Sequence, residues 1–328
     1  MTDISTRYLG LELSSPVILA SGPLTQSVEG LRKAEAAGAG AVVLKSIFEE
    51  QIDREVENGD LADEYLSQPD AELYYSSMSR DWYIDRYMEL LIEAKKAVKI
   101  PVIASINCRK LSTWLDYADR FAACGADAIE LNYFPLASDA DVEGRKVDDA
   151  LIDFARKARK AIKLPLSIKL GQSYSSLSNI VKELEKAGID GVVFFNRAFR
   201  PDIDLENLSF VSSHPLSDET EYSSALRWTA LMSAEMDIDI AANTGIHSGE
   251  TAVKMLLAGA KAVEVLSAPL KSGYDAITEI NDSIRSFMEK KNYSRLEDFT
   301  GLLAQENRID GDSWERVQFL KTIGKQEK

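Results

Sequence analysis

One complete strand–helix–strand unit, the most informative segment for the fold, lies at residues 128–170: AIELNYFPLASDADVEGRKVDDALIDFARKARKAIKLPLSIKL. Its ends, AIELN (128–132) and LSIKL (166–170), are short and largely apolar, as expected for strands that are covered on both faces. Residues 147–162 between them have the apolar spacing of a helix. Two strands joined in this way are predicted to be parallel, with a right-handed crossover.

The same alternation recurs along the chain and predicts eight such units. Glycine or proline stands at the helix-to-strand turns, as in AGAGA (37–41) and KLP (163–165), which suits glycine C-caps. Eight units favour a (β/α)8 TIM barrel. The rival, an open doubly wound sheet, usually has five or six strands and a glycine-rich first turn, whereas the first turn here is ASGPLTQS (20–27). The predicted strands are 16–20, 41–45, 101–105, 128–132, 166–170, 191–195, 238–242 and 262–266, followed by helices at 27–37, 82–98, 111–123, 147–162, 175–187, 223–235, 249–258 and 272–290.

Four segments depart from this repeat. Residues 5–14 predict a short hairpin that floors the barrel, and residues 292–328 predict a polar, helical tail. The connections 46–81 and 197–222, after the second and sixth strands, are long for loops of this kind. Long loops at the carboxyl ends of strands are typical of lids or substrate walls. We expect one domain over all 328 residues.

The composition is that of a globular protein and argues against nucleic-acid binding and a membrane span. Apolar residues make up 45% and charged residues 28%, and 53 acidic against 38 basic side chains give a net charge of −15. Such a surface repels phosphate backbones. The first residues lack a targeting pattern and no segment reaches the roughly 18 apolar residues of a membrane span, so we expect a cytoplasmic protein. Two histidines cannot build a multi-histidine zinc site, and no metal is expected.

Most of the predicted strands end at a polar residue that a reaction can use. Because the carboxyl ends of barrel strands meet at one mouth, these side chains are expected to line a single site, which indicates an enzyme. They are Lys45, Asn107, Asn132, Lys169, Asn196, Thr244 and Ser267.

The residue types suggest what this site binds. Lys45 and Lys169 suit an anionic cofactor or substrate, and a desolvated lysine can also attack a carbonyl. The loop ANTGIHSGE (242–250) has the glycines of a phosphate-binding turn, and carboxamides at strand ends suit a planar heterocycle. Glu130 alternates with Asn132, so it is expected to point inward, where it either orients a neighbour or belongs to a buried ion pair.

Collinear pieces of the chain resemble the dihydroorotate dehydrogenase family, in particular its class 1 branch. The resemblance covers most of residues 5–302. The matching pieces are ASG (20–22), LKS (44–46), ELN (130–132), IKL (168–170), FN (195–196), LRW (226–228), TGI with Gly249 (244–249), LLAGA (256–260) and NYSRLEDFTGLL (292–303).

The resemblance implies an FMN cofactor at the mouth, a small-molecule substrate and, as a family expectation, a homodimer. It implies that the phosphate lies near Gly245 and Ser267, and that Lys169 stabilises the anionic reduced flavin. The residues implied to surround the ring or the substrate are Ala20, Ser21, Gly22, Lys45, Ser46, Asn132, Lys169 and Asn196.

Three positions depart from the family pattern. The position of the family's catalytic base holds Pro135, which has no acid–base function. The Asn-x-Gly segment that grips the substrate ring has no clear equivalent after the second strand, and Leu266 replaces a frequent glycine. The replacement bases considered are Tyr133, Ser138, Asp139 and Cys108.

The leading hypothesis is an FMN-dependent dehydrogenase that acts on a CH–CH bond, with dihydroorotate as the first substrate. We assign catalytic roles to Lys45, Lys169, Asn132 and Tyr133. The alternatives are a flavin enzyme for another reduced pyrimidine or lactam, a lysine Schiff-base lyase, and a barrel that binds a ligand without turnover.

Overall fold

The computed structural model describes residues 2–48, 69–107, 111–133, 137–198, 200–212, 214–304 and 320, with the side chains of 69–81 and 111–116 excepted. The strands are β1 (Thr6–Tyr8), β2 (Leu11–Leu13), β3 (Val17–Leu19), β4 (Ala41–Val43), β5 (Ile47–Phe48), β6 (Val102–Asn107), β7 (Ala128–Asn132), β8 (Leu166–Leu170), β9 (Gly191–Phe194), β10 (Pro201–Asp204), β11 (Ser209–Ser212), β12 (Asp239–Asn243) and β13 (Ala262–Val265). The α-helices are α1 (Val28–Ala36), α2 (Pro69–Ala97), α3 (Leu111–Ala123), α4 (Gly144–Ala161), α5 (Leu177–Lys186), α6 (Tyr222–Met232), α7 (Gly249–Ala258), α8 (Ser267–Ser272) and α9 (Asp275–Lys291).

Eight parallel strands close into a barrel, which confirms the predicted fold. Their order is β3, β4, β6, β7, β8, β9, β12 and β13, and β13 pairs with β3 to complete the ring. Helices separate consecutive barrel strands in the chain. All eight predicted strands coincide with observed ones, so their carboxyl ends lie together at one end of the barrel.

Two helices differ from the prediction. Helix α2 begins at Pro69 rather than residue 82, because no glycine or proline interrupts residues 70–97 and proline suits the first helical turn. The last predicted helix, 272–290, is instead two helices, α8 and α9. Gly273 separates them with a φ of 83°, a conformation that glycine adopts readily.

The barrel interior changes from apolar to polar along its axis. At the amino-terminal end, Tyr8 and Leu9 from the β1–β2 hairpin pack into one cluster with inward-facing strand residues, so the hairpin closes this end. The cluster also contains Leu13, Ile18, Ala41, Val43, Ile103, Ala128, Val193, Ala241 and Ala262. Since side chains on one face repeat every second residue, the next inward positions after Ile103, Ala128 and Ala262 belong to Ser105, Glu130 and Glu264.

The segments outside the barrel are partly described. Residues 197–222 contain the exposed hairpin β10–β11. Residues 292–304 contain a 3₁₀ turn (Leu296–Asp298) and pack against α7, where the Gly301 N–H donates to the Leu256 carbonyl at 2.9 Å. Apart from residue 320, the rest of the predicted tail lies outside the described residues, as do residues 49–68 of the predicted loop. Among the described helices none combines the length and apolar character that a bilayer crossing requires.

Gly40 provides a test of how the first strand–helix unit packs. A Cβ atom at this position would lie 1.9 Å from the Ser15 carbonyl oxygen, and the Gly40 N–H donates to the Val17 carbonyl at 2.7 Å. Because backbone atoms cannot move aside cheaply, Gly40→Ala is expected to lower the free energy of unfolding by about 1–3 kcal/mol in urea titration.

The matched control is Gly144→Ala at the start of α4, where a Cβ meets nothing within 4 Å. This change is expected to leave stability equal or raise it by about 0.4–1 kcal/mol, because alanine restricts the unfolded chain. Equal effects of the two substitutions would contradict the close approach at Gly40.

Candidate functional site

A cavity of about 360 Å³ opens at the carboxyl ends of the barrel strands. We call it the mouth cavity. Its size is within the range of small-molecule sites. Of the residues that the sequence predicts for the site, it is lined by Ala20, Ser21, Lys169, Asn196, Thr244, Gly245 and Ser267.

Lys169 is a buried cation held between two carboxylates. Its Nζ lies 2.6 Å from Glu264 Oε2 and 3.5 Å from Glu130 Oε1. Burial alone would lower the pKa of Lys169, but the two carboxylates outweigh burial and raise it. The lysine is therefore protonated at neutral pH.

The two carboxylates keep unused acceptor capacity. Oε1 of Glu130 and Oε1 of Glu264 are both buried without a hydrogen-bond partner. Burial and the nearby charge of Glu264 raise the pKa of Glu130 well above its ordinary value, although Lys169 opposes this. Glu130 is thus a member of the buried cluster around Lys169, in which burial favours its protonated form.

A chain of serine hydroxyls runs from the mouth cavity into the barrel wall. Ser21 Oγ lies 3.0 Å from Ser46 Oγ, which in turn lies 2.7 Å from Ser105 Oγ. The Ser46 N–H donates to Ser21 Oγ at 2.8 Å, and the Ser105 N–H donates to the Tyr87 hydroxyl at 2.9 Å. These contacts fix the orientation of Ser21 at the cavity.

The two predicted carboxamides contact each other. Asn196 Nδ2 donates to Asn132 Oδ1 at 3.1 Å. Asn132 is next to Lys169 in the sheet register, so the pair lies beside the lysine. Neighbouring amide donors and acceptors next to a cation suit a planar ring with several polar atoms along one edge.

Lys45 does not line the mouth cavity. It lines a second cavity of about 520 Å³ between α1 and α2, with Ser46, Tyr83 and Arg86. The two predicted lysines therefore line different cavities, and Ser21 of the first is hydrogen-bonded to Ser46 of the second.

Gly22, Asn107 and Tyr133, which the sequence also predicts for the site, do not line the mouth cavity. A Cβ at Gly22 would lie 2.6 Å from Leu266 Cδ1, so this glycine lets the chain pass close to Leu266. Asn107 ends β6 opposite Phe48. The Tyr133 ring stacks on Phe154 with centroids 5.0 Å apart.

Of the other bases considered, Ser138 and Asp139 are exposed and line neither cavity. Cys108 and Pro135 lie outside the described residues.

The loop after β9 forms one wall of the mouth cavity through contacts that the sequence does not reveal. Arg197 donates to Glu221 from Nε at 3.0 Å and from Nη2 at 3.2 Å, and also to the His214 carbonyl at 2.6 Å. Arg200 Nη2 lies 3.1 Å from the same Glu221 carboxylate. Glu221, near the end of this loop, thus holds Arg197 and Arg200 at its beginning.

Ser217 connects this loop to the predicted phosphate side. Its N–H donates to Ser267 Oγ at 3.0 Å, and its hydroxyl lies 2.9 Å from His247 Nε2. Lys271 Nζ donates to the Ser217 carbonyl at 2.9 Å. Sequence reasoning missed Ser217, Glu221 and Glu264; only Glu264 had a signal, as a charged residue inside the apolar strand AVEVL.

Comparison with known proteins identifies similar chains over nearly the whole length. A family model described as dihydroorotate dehydrogenase matches residues 3–288. The relatives are named as catalytic subunits of dihydroorotate dehydrogenase B (NAD(+)). That of Thermoplasma volcanium is 28% identical over 306 residues, which cover 92% of this chain and 99% of the relative. That of Methanosarcina acetivorans is 30% identical over 300 residues, covering 89% and 94%. The family resemblance inferred from the sequence is confirmed.

Glu221→Gln tests the anchor of the cavity wall. Burial raises the pKa of Glu221, but the hydrogen bonds and charges of Arg197 and Arg200 outweigh it and lower the pKa below its ordinary value of 4.5. A depressed folded-state pKa stabilises the fold above pH 4.5, and this contribution is lost as the pH falls through the folded-state value. We expect Glu221→Gln to lower the free energy of unfolding by about 1–3 kcal/mol at pH 7, and the difference to shrink below pH 4.5.

The control is Glu250→Gln, which removes an exposed helix-surface pair with Lys254 and should leave stability nearly unchanged. A Glu221→Gln deficit that persists undiminished at pH 3 would contradict the proposed charge interaction.

Proposed function

Since this chain belongs to the dihydroorotate dehydrogenase family and is an oxidoreductase that acts on CH–CH bonds, we propose that it binds FMN in the mouth cavity and transfers a hydride between the flavin and a small anionic ring. The observation that carries the proposal is Lys169, a buried cation in the cavity wall beside two paired carboxamides. This arrangement offers one positive charge and several directed polar atoms to the edge of a planar heterocycle.

The residues present fit FMN. Lys169 faces the cavity with its charge held in place, so it is suited to stabilise negative charge on the ring. Asn196 lines the cavity and is held by Asn132, so its amide group is suited to orient the ring. Gly245 and Ser267 line the part of the cavity suited to the phosphate. When bound, FMN supplies a two-electron acceptor for hydride.

Tyr133 is proposed for the proton step from its place beside Asn132, although its ring does not line the mouth cavity. This residue directly follows Asn132 at the end of β7, and its half-buried phenol stacks on Phe154. Burial raises the pKa of Tyr133, so the phenol is protonated at neutral pH. A protonated phenol is suited to donate a proton to a substrate carbon, which is the step needed when a C=C bond is reduced.

Dihydroorotate is the first substrate to test because of the family. A different reduced pyrimidine or a lactam is the second candidate, favoured by Pro135 at the base position and by the missing Asn-x-Gly segment. The relatives are named as catalytic subunits of an NAD(+) enzyme, which supports testing an electron-transfer partner beside the homodimer.

A Schiff-base lyase is less compatible with the site. A nucleophilic lysine needs a lowered pKa, whereas the carboxylates around Lys169 raise its pKa. Borohydride trapping with a carbonyl substrate separates the two reactions, and we expect no trapped adduct at Lys169.

The proposed function predicts that the FMN-loaded protein loses its oxidised flavin absorbance when a substrate is added under anaerobic conditions. Dihydroorotate is tested first, then reduced pyrimidines and lactams. Protein that never retains FMN when incubated with an excess of it would refute the proposal. Retained flavin that no compound of these classes reduces would limit the barrel to ligand binding.

Substitution Lys169→Met removes the charge that faces the ring. We expect FMN still to bind, and flavin reduction to slow by about 10²–10³-fold, as when a single electrostatic contact is removed from an active site. The matched control is Lys163→Met, an exposed lysine in the turn at the opposite end of β8. Equal rates in both variants would remove Lys169 from the mechanism.

A further inference from the structure

Glu264 is the closest partner of the lysine that faces the mouth cavity. Its Oε2 lies 2.6 Å from Lys169 Nζ, its side chain is fully buried, and it also lines the cavity. Its other oxygen, Oε1, is buried without a hydrogen-bond partner. A buried carboxylate with a free oxygen beside the proposed flavin site is costly to maintain and is expected to have a function.

The function of Glu264 follows from the charges of Lys169 and its two glutamate neighbours. Lys169 contributes one positive charge, while Glu130 and Glu264 both lie within 3.5 Å of it. Glu264 lies 2.6 Å from the lysine and Glu130 lies 3.5 Å from it, so Glu264 is the nearer carboxyl group and the one placed to offset the charge of Lys169. The charge of Lys169 is therefore largely offset within this cluster.

We infer that Glu264 lowers the reduction potential of the bound flavin by offsetting the positive charge of Lys169. The inference rests on the proposed function and deepens it. Reduction of the flavin by two electrons can leave its ring anionic, which places negative charge in the cavity. A carboxylate in the cavity wall repels this charge, so it disfavours the reduced ring relative to the oxidised ring. Because the cavity excludes much of the solvent, the effect is stronger than at a protein surface.

The consequence concerns the direction in which electrons move. A flavin with a lowered potential is a better hydride donor. Glu264 therefore favours transfer from the reduced flavin to a C=C bond, or onward to an electron acceptor. In this arrangement Glu264 is a positioning and charge-setting residue that acts through Lys169.

The test is the midpoint potential of FMN bound to the wild type and to Glu264→Gln, measured by equilibration with a reference dye during slow anaerobic reduction. The substitution keeps the shape of the side chain and removes its charge. We expect the preference for reduced over oxidised FMN to increase at least tenfold, which corresponds to a rise of about 30 mV for a two-electron couple.

Glu130→Gln is the matched control. Glu130 is farther from the lysine and favours its protonated form, so its replacement removes little charge. We expect its preference for reduced FMN to change less than threefold. Glu264→Asp serves as a second variant if Glu264→Gln does not fold; its shorter carboxylate should produce a smaller shift in the same direction.

The outcomes separate the two proposals. FMN bound at an unchanged potential in the folded Glu264 variants overturns the role of Glu264 and leaves the flavin function standing. An equal rise in Glu130→Gln and Glu264→Gln also overturns it, because the offsetting charge would not belong to Glu264. A wild-type protein that does not bind FMN overturns the proposed function and this inference together.

Discussion

The structure of the barrel at its carboxyl end depends on one buried cluster, in which Lys169 lies between Glu130 and Glu264. A lysine without partners inside a barrel would lose its proton or destabilise the fold by several kcal/mol. Here Glu130 of β7 and Glu264 of β13 hold the lysine of β8 charged and in place. Removing one partner from such a pair typically costs about 3–5 kcal/mol, whereas apolar replacement of the whole cluster can be neutral. Retaining a charged cluster therefore indicates a use for the charge at the mouth cavity.

Side chains of a strand point alternately to its two faces, and this alternation makes the floor of the barrel and the position of Glu130 predictable from the sequence. Side chains alternate, so an inward Ala128 places Glu130 and Asn132 on the same interior face. The same rule applied to AVEVL would have placed Glu264 there, because a charge within an otherwise apolar buried strand needs a partner inside the barrel. The eight strands and most of the helices follow from patterns of this local kind, which depend on neighbouring residues alone.

Contacts between distant loops could not be predicted in this way. The Arg197–Glu221 pair and the Ser217–Ser267 hydrogen bond join segments whose approach depends on the path of a long loop. Lys45 lines the cavity between α1 and α2 instead of the mouth cavity. The packing of these two helices cannot be read from the sequence of β4, the strand that precedes Lys45. Side-chain chemistry at the strand ends thus predicts the members of the site better than it predicts which of them share a cavity.

A crystal structure of the protein grown with FMN would show whether the mouth cavity binds the flavin beside Lys169. We expect the ring next to Lys169 and the Asn132–Asn196 pair, with the phosphate near Gly245 and Ser267. FMN bound in the cavity beside Lys45, or a mouth cavity that stays empty at saturating FMN, would contradict this expectation.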